Sequence, residues 1–268
     1  MGVEIVDMEV GVYKLISPSG IHLSYDKGGN GPPLMLVHGS FSDHRSNWEL
    51  VRPSFEENFT VYAVARRGRG ETDATKAHEV TDEAEDVAAL IDSVDEPVFL
   101  LGHSYGAQVA LAAAALLPHR IRKLILYEPP WPQILHQEQL ERLEKLAQAA
   151  DWEDFTTAFF RDTLAVQAEE IETLHSTEPW NEIVADAEAS FGDIRALVNY
   201  HFEPESFRNL AMPVMLQAGT ESPRELYVTD ALAAVLPDVC VEALPGQAHE
   251  AVTTSPELYV NSVSRFLL

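Results

Sequence analysis

In Gly102-His103-Ser104-Tyr105-Gly106 a serine stands at the centre of a Gly-x-Ser-x-Gly stretch. A hydroxyl at neutral pH becomes a nucleophile only with a base in hydrogen-bond reach and a carboxylate that orients the base. Of the ten histidines, His249 is the best placed base, in the loop Pro245-Gly246-Gln247-Ala248-His249 after the last predicted strand. His103 adjoins Ser104 but is turned away where the chain reverses at the serine. His38, beside Gly39 at a strand end, fixes loop geometry, and His201 reads as an exposed histidine of a helical region. No His-x-x-x-His or Glu-paired spacing suggests a metal. The chemistry on offer is nucleophilic acyl transfer without a cofactor.

Such residues need a scaffold. The β-prone run Pro97-Val98-Phe99-Leu100-Leu101 before the serine and the Ala-rich run from Ala107 to Leu117 after it predict a strand, a tight elbow and a helix. Small residues at 102 and 106 let strand and helix approach. Further apolar runs, Pro33 to Val37, Phe59 to Ala65, Ile121 to Tyr127, Met212 to Ala218 and Val239 to Leu244, read as buried strands. A hairpin is predicted from Val10 to Ile16 and Ile21 to Tyr25, and helices around Trp48 to Val51, from Thr81 to about Val94 with an Asp82/Glu85 capping box, from Leu226 to Leu236, and from Ser255 to Leu268. The alternation predicts an α/β fold with a mostly parallel, doubly wound sheet, whose reactive groups gather at the carboxyl ends of the strands. Ser40, Ser104 and Glu128 all fall there. The basic turn Arg66-Arg67-Gly68-Arg69-Gly70 lacks the spacing of a phosphate-binding loop and reads as structural.

From Trp131 to Arg208 the alternation stops and helical segments take over, at Glu138 to Leu146, Asp154 to Phe160 and Trp180 to Phe191. This predicts a core of residues 1–130 and 209–268 with a helical lid, residues 131–208, over the strand ends. Trp131, Phe159, Phe160 and Trp180 are candidates to line an apolar substrate pocket.

Composition narrows the partners. The 268 residues carry 43 acidic against 18 basic side chains, a formal charge of −25. Such a field repels nucleic acid and anionic membranes, leaving a small molecule as the expected partner. An acidic, lysine-poor surface suits concentrated salt, where screening removes self-repulsion. No run approaches the length of a membrane span, and Met1-Gly2-Val3-Glu4-Ile5-Val6-Asp7 lacks the regions of a signal peptide. With a single cysteine, Cys240, expected as a small core side chain, a cytoplasmic location follows. Nothing in the sequence speaks to oligomeric state.

With Ser104 early, His249 late, His38-Gly39 after a strand and a helical insertion, nearly the whole chain resembles the α/β-hydrolase superfamily, and within it lidded serine esterases. The resemblance implies an oxyanion hole made by the backbone N–H of Tyr105 and that of Ser40, with Phe41 the neighbouring alternative. It also implies an acid three residues after the glycine of the late strand, but Ser222 stands there. Glu221 is one position off. Glu128, 24 residues after Ser104 (128 − 104) and at the end of the strand that follows the elbow helix, resembles the arrangement of some haloalkane dehalogenases. It is favoured, with Glu221 the alternative. A serine at 104 excludes dehalogenase and epoxide-hydrolase chemistry, which needs an aspartate nucleophile. The expected activity is a carboxylesterase cleaving small to medium acyl esters through an acyl-enzyme. The alternatives are a C–C bond hydrolase, a thioesterase, an acyltransferase, or a non-catalytic ligand-binding protein of the same fold.

Overall fold

A computed structural model describes residues 4–7, 12–75, 77–164, 166 and 168–268; Val10 and Gly11, the predicted opening of the hairpin, lie outside them. Among the described residues the strands are β1 (Glu4–Asp7), β2 (Val12–Ile16), β3 (His22–Gly29), β4 (Pro33–Val37), β5 (Thr60–Val64), β6 (Val98–His103), β7 (Ile121–Tyr127), β8 (Val214–Gly219) and β9 (Val239–Leu244). They form one sheet in the order β1-β2-β3-β5-β4-β6-β7-β8-β9. The first three strands pair antiparallel, and every pairing from β5 to β9 is parallel. Strands β4, β6 and β8 are buried along their whole length, as parallel strands covered on both faces must be.

The covering helices are α1 (Arg52–Glu56), α2 (Val80–Ser93) and α3 (Tyr105–Leu116), then α4 (Gln137–Gln148), α5 (Trp152–Asp162), α6 (Ala168–His175), α7 (Glu178–Ala185) and α8 (Ala187–Asn199), and finally α9 (Thr229–Val235), α10 (Ala251–Thr254) and α11 (Pro256–Leu267). Leu90 of α2, Val109 of α3 and Leu232 of α9 share one core with Met35, Leu100 and Leu126 on one face of the sheet. Phe55 of α1 with Tyr259 and Val263 of α11 fill the other, against Leu34, Leu36 and Leu101. The fold is a doubly wound α/β-hydrolase fold. Helices α4 to α8 all fall between β7 and β8. Phe155 and Phe159 of α5, Leu143 of α4 and Ile194 of α8 pack into a third apolar cluster, which Phe41 from the loop after β4 enters.

Several local expectations need correction. Cys240 is exposed: it stands on β9, the edge strand, where the helical layers do not cover its side chain. Trp48 to Val51 is not a helix: a 3₁₀ turn at Ser46–Trp48 buries Trp48, and α1 starts at Arg52, where Pro53 fits the first turn. Helix α2 starts at Val80, so Asp82 accepts from the Glu79 backbone N–H (2.9 Å) and the capping pair lies three residues earlier than Asp82/Glu85. The run from Trp180 breaks at Asp186 into α7 and α8, and α6 was not legible in advance.

Candidate active site

Sheet register sets the site. Val37 pairs with Gly102, His103 with Tyr127, and Tyr127 with Gln217, so His38, Ser104 and Glu128, which follow β4, β6 and β7, come off the sheet along one edge. Ser104 N–H donates to Tyr127 O (2.9 Å) and Glu128 N–H to Gln217 O (3.1 Å), carrying the register one step past the strands. The chain then turns sharply. Among described non-glycine residues, positive φ occurs at Phe41 (58°), Ser104 (56°), Glu128 (48°) and Ala150 (53°). Ser104 and Glu128 directly follow β6 and β7, and Phe41 lies in the loop after β4. Such conformations cost about 1–3 kcal/mol each and persist only where packing imposes them. At Ser104 the packing is visible: a Cβ on Gly106 would lie 2.2 Å from His38 O, and one on Gly102 2.5 Å from Gly106 O, so only glycine lets α3 sit on β4 and β6.

Glu128 is completely buried, and its Oε2 lies 2.6 Å from Nδ1 of His249, whose side chain is 18 % exposed. Oε1 accepts the Gly219 N–H at 2.7 Å. Burial works against the carboxylate's charge, but the bond and charge of His249 and the Gly219 N–H outweigh it and hold the Glu128 pKa below its ordinary range. Burial also works against a charged His249, and the bond and charge of Glu128 again prevail, raising its pKa. The Tyr227 ring stacks on His249 (centroids 5.4 Å, 13° between planes), with its hydroxyl 3.1 Å from the same Nδ1. On the other side His103 Nε2 lies 3.0 Å from His249 O. Buried and beside His249, the His103 ring is held well below its ordinary pKa and stays neutral. The bonds of His249 thus run to Glu128, Tyr227 and His103, and none runs to Ser104. In substrate-free enzymes of this kind that contact commonly tightens only when substrate is present.

Ser104 faces the loop after β4, where a Cβ on Gly39 would come 3.0 Å from Ser104 Cβ. In that loop Phe41 N–H donates to Ser190 Oγ of α8 (2.6 Å) and is spoken for, whereas the Ser40 N–H makes no hydrogen bond among the described residues. The Tyr105 N–H, first in α3, has no acceptor within its own helix. Glu221 is exposed; its backbone N–H donates to Gln247 O in the loop after β9, while its carboxylate accepts only from neighbouring Thr220 among the described residues. It is not brought to His249. His38 is buried, with Nδ1 2.8 Å from Gly39 O, and His201 is 88 % exposed near Glu203.

Three of the four candidate pocket aromatics lie together: Phe159 and Phe160 pack on Phe41 (5.0 and 5.2 Å), and Trp180 meets Phe160 (6.1 Å) and stacks on His175 (4.0 Å). Trp131 stays with the sheet, its N–H on Leu226 O, and meets Phe202 instead (5.6 Å). A groove of about 590 Å³ between the 42–49 loop, the 68–70 turn and Glu182, Ala185 and Asp186 is lined by none of the four. Among the described residues two clusters bring three possible metal ligands together, His103/His249/Glu250 and His78/Glu83/Asp193. The first contains the paired histidines just described, and in the second Glu83 and Asp193 already hold Arg66.

Sequence reasoning missed Tyr227, Arg66, Ser190 and Asp193. For the last two a signal existed: Asp186, Ser190 and Asp193 recur at the spacing of one helix face.

A serine on a strained strand-to-helix turn, beside a buried carboxylate–imidazole pair at the end of a parallel sheet, is an α/β-hydrolase arrangement. The chain belongs to the alpha/beta hydrolase family, whose model matches residues 34–262. It is 26% identical over 267 residues to the 2-(acetamidomethylene)succinate hydrolase of Mesorhizobium japonicum, covering 92% of each chain. Its fold is similar to the crystal structure of an alpha/beta hydrolase from Sphaerobacter thermophilus (TM-score 0.84, 26% identity, 95% of this chain and 100% of that one). It is also similar in fold to an esterase from Rhodococcus (TM-score 0.77, 22% identity, 96% and 98%). No described helix is long and apolar enough to cross a membrane.

Proposed function

We propose that this chain is a serine hydrolase of carboxylic esters with small to medium acyl groups, working through an acyl-enzyme. The observation that carries the reading is the buried pair Glu128 Oε2 to His249 Nδ1 at 2.6 Å, at the sheet edge where Ser104 is held at φ 56°. Glu128 keeps the ring proton on Nδ1, leaving Nε2 free to take the proton of Ser104 as its oxygen attacks the ester carbonyl. The developing oxyanion is met by the N–H groups of Ser40 and Tyr105. His249 then passes the proton to the departing alcohol, and water, deprotonated by the same nitrogen, releases the acid and restores Ser104.

Helices α4 to α8 act as a lid that excludes bulk water, and Phe41, Phe159 and Phe160 give its inner side an apolar character suited to neutral acyl chains. The names of the relatives, a succinate-derivative hydrolase and an esterase, favour hydrolysis over pure binding. The test is labelling by a fluorophosphonate together with turnover of p-nitrophenyl esters, thioesters and lactones at low and high salt. A phosphonate adduct on Ser104, lost in Ser104→Ala, with fastest turnover of short esters, is expected. Folded protein that neither labels nor turns over any of these would overturn the reading.

A further inference from the structure

The Ser40 N–H and the Gly39 carbonyl belong to one peptide unit, and in a trans peptide the two point in opposite directions. Whatever grips that carbonyl therefore aims the N–H. Three donors reach it, Arg66 Nη2 at 2.9 Å, His38 Nδ1 at 2.8 Å and, at the longest distance, Ser42 Oγ at 3.4 Å. The Arg66 backbone N–H lies on His38 Nε2 (3.3 Å), which makes Nε2 the acceptor and leaves the ring proton on Nδ1, facing Gly39 O. Arg66 Nε holds the preceding carbonyl, His38 O, at 2.9 Å. The guanidinium also lies over the Tyr105 ring, 4.7 Å from its centroid. One buried cation thus touches the peptide or side chain of both oxyanion donors.

A cation on a carbonyl oxygen polarises the amide and strengthens its N–H as a donor, an effect enlarged in a dry interior. Arg66 is itself fixed by Asp193 on α8, Nη1 to Oδ1 at 3.0 Å and Nη2 to Oδ2 at 2.8 Å, and by Glu83 at 3.0 Å. The same Asp193 oxygen accepts the Ser40 hydroxyl at 2.8 Å, and Ser190, one turn away, holds the Phe41 N–H.

We propose that Arg66 is a positioning residue that aims and polarises the Gly39–Ser40 peptide as an oxyanion donor. Asp193 couples that donor to the seating of α8. The inference rests on the reading of Ser40 and Tyr105 as oxyanion donors. A plain structural clamp would hold the loop without altering its preference for a tetrahedral anion.

The experiment compares wild type with Arg66→Gln, Arg66→Lys and Asp193→Asn. It measures kcat and KM on p-nitrophenyl butyrate, inhibition by a trifluoromethyl ketone that adds to the serine as a tetrahedral anion, inhibition by the matching planar methyl ketone, and thermal unfolding. Losing one oxyanion donor outright costs about 10²- to 10³-fold, so weakening one is expected to lower kcat about 10- to 100-fold in Arg66→Gln. KM and methyl-ketone affinity should hold while trifluoromethyl-ketone affinity falls by the same factor. Arg66→Lys keeps a cation and is expected to recover part of both losses. Asp193→Asn, which preserves shape, should show a smaller loss in the same direction. If Arg66→Gln does not fold, the other two variants carry the same comparison. Unchanged kcat and ketone ratio in the folded variants, with lowered melting temperature alone, leaves Arg66 a structural clamp and overturns the proposal. Wild-type protein whose Ser104 resists fluorophosphonate defeats the serine-hydrolase reading, and the inference falls with it.

Discussion

Replacing Glu128 by glutamine exchanges one oxygen for an NH2 group at nearly constant volume. Gly219 N–H donates to Oε1 at 2.7 Å, so the new amide settles with its oxygen there and turns its NH2 toward His249 Nδ1, which Oε2 faces at 2.6 Å in the native protein. Two donors cannot share that contact. Nδ1 must give up its proton and accept, which moves the ring hydrogen to Nε2, the atom that has to receive the proton of Ser104. The wrong tautomer in a serine triad costs about 10⁴ in kcat, or about 5.4 kcal/mol at about 1.36 kcal/mol per decade. The fold itself loses less. The depressed Glu128 pKa means that the ionised carboxylate stabilises the folded state above the pH at which the unfolded chain titrates, and glutamine forfeits that contribution. A melting temperature lower by a few degrees is expected beside a four-decade loss of turnover. The assay is kcat and KM on p-nitrophenyl butyrate with the fluorophosphonate labelling rate in parallel, and Glu221→Gln as the companion, because the exposed Glu221 carboxylate is bonded only by neighbouring Thr220 among the described residues. Glu128→Gln within tenfold of wild type, or a Glu221→Gln loss of equal size, refutes the assignment.

The raised pKa of His249 fixes the sign of the pH dependence. Its base form disappears below a pKa lying above the ordinary 6.5, so the acid limb of kcat/KM should break above that value in wild type and move to lower pH in Glu128→Gln, where burial opposes protonation without a carboxylate to offset it. Gly106→Ala sets a Cβ 2.2 Å from His38 O and 2.4 Å from Val37 O. A loss of about 3 kcal/mol in urea unfolding is expected as α3 is pushed off β4. With a formal charge of −25, raising KCl from about 0.1 M to about 1 M shortens the screening length from about 10 Å to about 3 Å. The melting temperature should then rise by at least about 3 °C, the shift that about 1 kcal/mol gives a domain of this size; a flat response removes the case for salt adaptation.

What could be read in advance divides by range. The strands from Pro33 to Val37 and from Val98 to His103 declare themselves by continuous apolar runs, and the alternation with helices dictates a parallel sheet, so the edge where Ser104 and Glu128 leave their strands follows from local pattern. Edge status does not. Val239-Cys240-Val241 has the composition of a buried strand, yet on β9, the edge strand among the described residues, Cys240 and Val241 are exposed. The left-handed backbone at Phe41 and Glu128 is equally silent, since neither side-chain type favours it and it is imposed by the surrounding packing.

The hardest part to read was the environment of the proposed donors. Arg66 in a basic turn reads as a loop residue, because its carboxylate partner Asp193 stands 127 positions away in a helix whose place over the sheet no periodicity encodes. Ser40 meets that same aspartate across 153 positions. A nucleophile can be recognised by its neighbours in sequence, because the strand, the elbow and the helix are built from them. An oxyanion donor is a backbone N–H whose orientation and polarity are set by whatever holds the other end of its peptide, and here Arg66, one of the groups that hold it, is itself fixed by Asp193 of a separate helical insertion. On the proposed reading the nucleophile is written locally while the donor's setting depends on long-range ion pairing, so substitutions in α8 far from any reacting atom should alter kcat more than KM.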